Sequence, residues 1–188
     1  MHKHFIIHKP YNCLSQFIYE GKRKTNKHLL GEFYDFPKAT MAIGRLDEKS
    51  EGLLFLTTDG KLSEEIRSSK YEKEYYVLVS GIVTNETIGK LKKGVEIGFD
   101  GKKYITKPCK AKIIEEPDFI FFENRKVRNE NHGPLSWVSI TITEGKYRQV
   151  RKMTAKVGHP TFRLIRVRIG KVKLNLKSGD VREVENLN

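Results

Sequence analysis

Gly44-Arg45-Leu46-Asp47-Glu48-Lys49-Ser50-Glu51-Gly52-Leu53-Leu54-Phe55-Leu56-Thr57-Thr58-Asp59-Gly60 is the stretch from which the rest of the chain can be read. Residues 41–46 and 52–57 read as two strands around an irregular turn that carries Asp47. Asp59-Gly60 then opens a helix over 61–68, with Leu62, Glu65 and Ile66 setting one face. Outward from there, strands dominate. Residues 73–79 form one, ended by Ser80-Gly81, and 104–114 is a long polar-apolar alternation. Residues 137–143 read as a half-buried strand, and 161–169 and 172–176 as a pair joined across Gly170-Lys171. Helices are fewer. Thr84 is placed to cap a helix over 85–93 that stops at Gly94. Val150, Met153 and Val157 recur at helical spacing over 147–157, and Gly158 ends that run before His159-Pro160. Many strands with a few interspersed helices predict an α+β fold: a mostly antiparallel mixed sheet with flanking helices. Residues 123–134 read as a polar loop. No internal repeat and no long linker divides residues 1–188, so one domain is expected.

The composition agrees. A chain of 188 residues, 38% hydrophobic and 31% charged, can bury a core without disulfides or a structural metal. Its 15 glycines and 6 prolines exclude collagen-like and low-complexity classes. The densest apolar run, Phe119-Ile120-Phe121-Phe122, is far too short to cross a membrane as a helix. The first ten residues lack the apolar core of a signal peptide. Cys13 and Cys109 suggest no disulfide framework, and the expectation is a reduced, cytoplasmic protein. His2, His4 and His8 with Cys13 show no recurring ligand spacing; they read as a frayed terminus followed by a buried-strand cysteine, so no metal is expected.

Charge is the more informative quantity. Lys and Arg number 36 against 23 Asp and Glu, a net +13. A protein this basic usually meets a polyanion; the rival explanation is solubility alone. Residues 141–170 hold eight basic residues and one acidic, a net +7, and Lys22-Arg23-Lys24 with Lys27 forms a second cluster. Clustering of this kind suits a phosphate backbone. Arg163, Arg166 and Arg168 read as basic residues on a sheet edge facing nucleic acid.

Four segments, taken together and in order, resemble the pseudouridine synthases of the RsuA/RluE type. Residues 44–60 match that family's Gly-Arg-Leu-Asp, Ser, Gly-Leu-Leu and Thr-x-Asp-Gly pattern. Lys9-Pro10-Tyr11-Asn12-Cys13-Leu14-Ser15 resembles its opening Lys-Pro-x-Gly-x-Leu-Ser, with Asn12 where Gly is usual; Asn tolerates positive φ, which preserves the turn. Lys73-Glu74-Tyr75-Tyr76-Val77 resembles Lys-x-Tyr-x-Val, and Glu144-Gly145-Lys146-Tyr147-Arg148-Gln149-Val150-Arg151-Lys152-Met153 resembles Glu-Gly-x-x-Arg-Gln-Val-Arg-Arg-Met. The family pattern begins at Lys9, which leaves no room for the N-terminal S4 RNA-binding module of many members. That likens the chain to the RluE subgroup.

The resemblance implies a single-domain enzyme, expected to be a monomer, that isomerises uridine to pseudouridine in ribosomal RNA, with large-subunit RNA favoured. The reaction exchanges no electrons or groups with an outside donor and implies no cofactor. It needs a carboxylate at the ribose or base, either as nucleophile or as the base that removes a sugar proton, and Asp47 is that candidate. A guanidinium keeps a carboxylate charged, and the resemblance assigns this role to Arg151. Tyr75 is implied as the stacking face for a flipped-out uracil, with Tyr76 on the opposite side of its strand. Arg45 is implied either to fill the gap the base leaves or to contact phosphate. Val150 lies in the same block, and Arg148, Lys152, Arg163 and Arg166 complete the expected RNA-binding set. The competing readings are a non-catalytic RNA-binding or ribosome-assembly protein on the same fold, and a synthase acting on small-subunit RNA or tRNA.

Overall fold

The computed structural model describes residues 1–19, 26–68, 71–118 and 133–187. The Lys22-Arg23-Lys24 cluster, the Phe119–Phe122 run and all but the end of the 123–134 loop lie outside them.

Its central feature is the strand Glu51–Thr57, whose seven residues are all buried. A run such as Leu53-Leu54-Phe55-Leu56 must have both faces covered, and the topology supplies this. Numbered in chain order, the strands are β1 (His4–Lys9), β2 (Met41–Ile43), β3 (Glu51–Thr57), β4 (Lys73–Ser80), β5 (Glu96–Phe99), β6 (Lys102–Ile105), β7 (Lys110–Ile114), β8 (Leu135–Ile142), β9 (Thr161–Ile169), β10 (Val172–Lys173) and β11 (Val181–Val184). The helices are α1 (Gly60–Arg67), α2 (Asn85–Lys93) and α3 (Gln149–Lys156). The described strands form one large sheet of order β11-β1-β3-β9-β4-β8-β7, with β2 on β3 and β10 on β9, and a separate β5-β6 ribbon. Pairing is antiparallel except between β3 and β9. The α+β architecture expected from the sequence is therefore the one observed.

One sheet face carries Ile7, Leu54, Leu56, Tyr75, Val77 and Ile140, packed with Ile88 and Leu91 of α2 and Val150 and Met153 of α3. Ile6, Leu53, Phe55 and Ile169 gather Ile66 of α1 into a second cluster. The helix caps follow the sequence. Asp59 accepts from the Lys61 and Leu62 amides, and Thr84 accepts from the Thr87 amide.

Four expectations change. The N-terminus is not frayed: β1 lies between β11 and β3, and Phe5, Ile6 and Ile7 are buried in succession. Cys13 is buried but sits in a turn, touching His28 through an isolated bridge rather than lying in a strand. The long alternation 104–114 is two strands in different sheets. Pro108 has no N–H for a ladder, and the Thr106 and Cys109 amides turn aside to the Val95 and Lys92 carbonyls. Finally, β9 is no sheet edge. It pairs with β4 along one side and with β3 and β10 along the other.

The β3–β9 junction positions the site. Both β9 and β2 use the edge of β3 not taken by β1: β9 at Glu51 and Gly52, β2 at Phe55 to Thr57. They diverge from there, and the 44–50 loop emerges in the gap. Gly52 (φ 109°) makes the approach possible, since a Cβ there would lie 2.3 Å from the Arg166 carbonyl oxygen.

Candidate active site

Asp47 sits on the loop between β2 and β3, held from three sides. The Ser50 amide donates to the Asp47 carbonyl (3.0 Å), closing a turn. The Ser15 hydroxyl accepts from the Leu46 amide (3.0 Å) and donates to the Leu46 carbonyl (2.9 Å). The Asn12 amide donates to the Glu48 carbonyl (3.0 Å), and Asn12 adopts the positive φ (58°) that the sequence required of it. Lys9 is fully buried and donates to the Pro10 (2.8 Å) and Cys13 (2.7 Å) carbonyls, which fixes the 10–14 turn beneath the loop. Burial lowers the Lys9 ammonium to about 8. The Lys-Pro-x-Asn-x-Leu-Ser segment thus acts as a brace for the Asp47 loop.

The opposite wall comes from residues 144–151. Glu144 is buried and accepts from the Tyr104 hydroxyl, the Lys107 amide (2.8 Å) and the Gln149 side chain. The Gln149 side-chain oxygen, Oε1, accepts from the Lys146 backbone amide (2.9 Å). Arg148 leads into α3 with left-handed backbone angles (φ 52°, ψ 32°), uncommon for a residue with a Cβ. Its guanidinium lies 3.5 Å from an Asp47 carboxylate oxygen, and Arg151 Nε lies 3.9 Å from the same oxygen. Arg151 also donates to the Lys49 carbonyl (2.7 Å), the Ser50 hydroxyl (3.3 Å) and the Thr161 carbonyl (3.4 Å). The partner expected for Asp47 was Arg151. Two guanidiniums share the carboxylate, and Arg148 is the nearer.

These walls enclose a recess of about 120 Å³ lined by Arg45, Asp47, Ser50, Lys73, Tyr75, Lys146, Arg148, Val150, Leu164 and Arg166, among others. Of the residues singled out in the sequence, Asp47, Arg45, Tyr75, Arg148, Val150 and Arg166 line it directly. Arg151 reaches Asp47 from behind. Arg45 is exposed at the mouth and donates to Gln16 (3.0 Å). Tyr75 is buried and belongs to the main core, while Tyr76 packs on the opposite face, so the strand phase is as expected.

Two residues are placed elsewhere. Arg163 is buried and grips Glu51 through two hydrogen bonds (2.9 and 2.8 Å), so it presents no charge to a ligand. Lys152 lies outside the recess, donates to the Gly98 carbonyl (2.7 Å) and covers the Tyr147 ring at 5.4 Å. Arg168 is likewise paired with Glu72 and Glu74. Two of the eight cations in residues 141–170 are thus neutralised within the protein.

Lys73, Ser50 and Lys146 line the recess but were not singled out. Lys73 was legible: it stands two positions before Tyr75 on a strand, and so on the same face. The two cysteines are free, and burial raises both thiols to about 11, which keeps them uncharged and unreactive at neutral pH. No group of three or more His, Cys, Asp or Glu among the described residues is placed to hold a metal ion.

Residues 3–156 match the RNA pseudouridylate synthase family, and the chain belongs to it. It is an enzyme that isomerises uridine to pseudouridine. The chain is 41% identical over 186 residues to ribosomal large subunit pseudouridine synthase E of Vibrio parahaemolyticus, covering 97% of this chain and 74% of that protein. It is 38% identical to the protein of the same name from Xanthomonas axonopodis pv. citri, covering 90% and 87%. A crystal structure of a pseudouridylate synthase superposes with a TM-score of 0.76 at 29% identity, covering 98% of this chain and 70% of that one. A chain of a Cbf5-Nop10-Gar1 complex, at 16% identity and a TM-score of 0.57 and covering 91% of this chain and 50% of that one, shares the fold.

Proposed function

We propose that the chain converts a uridine of large-subunit ribosomal RNA to pseudouridine in the cytoplasm, with Asp47 as the reacting carboxylate. The names of the relatives from Vibrio parahaemolyticus and Xanthomonas axonopodis favour this substrate. The observation that carries the reading is the placement of Asp47. Its side chain is 24% exposed, under two arginines, in a recess walled by Tyr75, Val150 and Leu164.

The recess is too narrow for a paired, stacked base, so the uridine must swing out of its helix to enter. Tyr75 then offers a flat face to the uracil. Conversion breaks the N1–C1′ bond, turns the uracil within the recess and joins C5 to C1′; the proton lost from C5 is balanced by one gained at N1. Asp47 serves either by attacking C1′ or by removing a ribose proton, and both roles require the ionised form. Arg148 and Arg151 stand beside one carboxylate oxygen at 3.5 and 3.9 Å and orient the group towards the recess. Arg45, exposed at the mouth, faces the RNA from which the uridine has left.

The test is pseudouridine mapping on unmodified large-subunit RNA, small-subunit RNA and tRNA incubated with purified protein. A single new site in large-subunit RNA is expected. Asp47→Asn, which keeps shape and hydrogen bonding, should lower turnover at least roughly a thousandfold with RNA binding and thermal midpoint unchanged. Conversion of small-subunit RNA or tRNA alone would overturn the substrate, and wild-type turnover by Asp47→Asn would overturn the carboxylate's role.

A further inference from the structure

Strand β9 carries three arginines, and two of them meet carboxylates: Arg163 meets Glu51, and Arg168 meets Glu72 and Glu74. Arg166 differs. It is 3% exposed, its Nε donates to the Leu53 carbonyl (2.7 Å), and its Nη2 is buried with no hydrogen-bond partner among the described residues. No ion pair to it occurs among those residues. A buried guanidinium with an open donor is costly unless something else completes it.

Its surroundings add positive charge. Lys73, across the β4–β9 pairing, lines the same space and donates only to the Tyr71 carbonyl (3.2 Å) among the described residues. Burial and the nearby Arg166 both lower its ammonium. The acids in reach are engaged: Glu51 with Arg163, Asp47 with Arg148 and Arg151, and Glu144 with Tyr104, Lys107 and Gln149.

Arg166 and Lys73 stand where the Asp47 recess meets a second, larger cleft of about 460 Å³. That cleft occupies the gap where β2 and β9 diverge. It has an apolar part made by Ile43, Ile66 and Ile169, with Arg67, Lys107 and Lys146 as further cations. Apolar surface beside clustered cations suits a base or ribose beside a phosphate.

We infer that Arg166 and Lys73 form an internal anion hole for a phosphodiester flanking the target uridine, and that the adjoining nucleotide occupies the larger cleft. One charge shared by two phosphate oxygens matches the guanidinium's planar donors. The enzyme therefore grips two consecutive nucleotides away from the helix, not one. This rests on the reading of the recess as the uridine site.

The experiment uses the full-length protein and a large-subunit RNA fragment containing the converted uridine. The 5′ or the 3′ phosphate of that uridine is replaced by an uncharged methylphosphonate. One replacement should lower kcat/KM roughly tenfold or more, the size of a lost hydrogen bond to a charged group. Lys73→Met should lower kcat/KM on all-phosphate RNA by a similar factor and show little further loss on the sensitive methylphosphonate RNA. Removing the base of the nucleotide on that side should weaken KM more than kcat. Wild-type activity indifferent to both methylphosphonates would overturn the anion hole, whether or not Lys73→Met folds. Independent, multiplying losses from Lys73→Met and the methylphosphonate would overturn it too. An abasic neighbour without effect would overturn the second subsite. If the wild type converted no uridine in any ribosomal RNA, the reading of the site would fall first.

Discussion

Two carboxylates four residues apart meet arginines in opposite ways. Glu51 opens β3 and is closed off by Arg163, with both side chains under 5% exposed and paired through two short bonds. Asp47, on the loop just before it, is shared by two arginines at 3.5 and 3.9 Å and remains open to the recess. The first arrangement buries both carboxylate oxygens against one guanidinium, out of reach of a ligand; the second places both guanidiniums beside a single oxygen, Oδ2, and leaves the other available. Sequence alone ranks Arg163 with Arg148 as RNA-facing cations, because both lie in one basic segment. What separates them is the sheet. A β9 residue beside β3 meets Glu51 in the interior, while the N-terminus of α3 overhangs the loop.

The sharpest test of this contrast is Arg163→Met. It strands a buried carboxylate, which costs about 3–5 kcal/mol, so the thermal midpoint should fall by roughly 10 °C or more for a chain of this size. The double variant Arg163→Met/Glu51→Leu removes both charges and should recover most of that loss. A single variant as stable as the wild type would show that the pair contributes nothing to stability.

Next in size, Arg148 and Arg151 should differ from each other. Among the described residues Arg148 makes a side-chain hydrogen bond or ion pair to Asp47 alone, so Arg148→Ala should lower kcat by roughly ten- to a hundredfold with no change in unfolding. Arg151 also ties the loop through Lys49 and Ser50. Arg151→Ala should therefore lower both kcat and stability. Equal unfolding midpoints for the two variants would show that Arg151 is no brace.

This contrast marks how far the sequence can be read. The Asp47 loop, the three helices with the N-terminal signals of the first two, and the opposite phases of Tyr75 and Tyr76 were legible, because each rests on local periodicity or on a motif. The missed features are those set by non-local pairing. In β1 the successive burial of Phe5, Ile6 and Ile7 gives no alternation, since both faces of an interior strand are covered. The place of β9 in the middle of the sheet depends on its parallel contact with β3, more than a hundred residues earlier. Neither the Glu51–Arg163 pair nor the burial of Arg166 without a carboxylate among the described residues can be seen until that contact is known.

Tyr75 and Tyr76 test the contrast on a smaller scale. Tyr75 is 7% exposed and part of the main core, while Tyr76 is half-buried in a small cluster with Leu78 and Ile165. Truncating Tyr75 therefore damages folding as well as stacking, contrary to a purely functional tyrosine. Tyr75→Ala should cost about 3–5 kcal/mol of stability and most activity; Tyr76→Ala should cost less stability and leave turnover near normal. Tyr75→Leu, which keeps apolar volume, separates the two roles: stability should largely return, activity should not. Activity returning with Leu would show that packing rather than a flat ring is what the site needs.

The smallest effect concerns docking. Each phosphate neutralised on binding releases counterions, and for single strands the slope of log affinity against log salt changes by roughly 0.7 per contact. If all eight cations of residues 141–170 met phosphate, each would contribute to that slope. The internal pairings of Arg163 and Arg168 remove two of them. Lys152 is half-buried but outside the recess, and among the described residues its ammonium holds only a carbonyl and an aromatic face. It can turn to RNA without breaking an ion pair. Lys152→Ala should thus shallow the slope by roughly 0.7, equally for RNAs of different sequence, with kcat unchanged. The stabilised double variant Arg163→Met/Glu51→Leu should leave the slope where it was, since it removes a pair that never left the interior. A shallower slope for that double variant, or none for Lys152→Ala, would mean that the interior and exposed arms of the basic segment are divided differently than the β3–β9 junction implies.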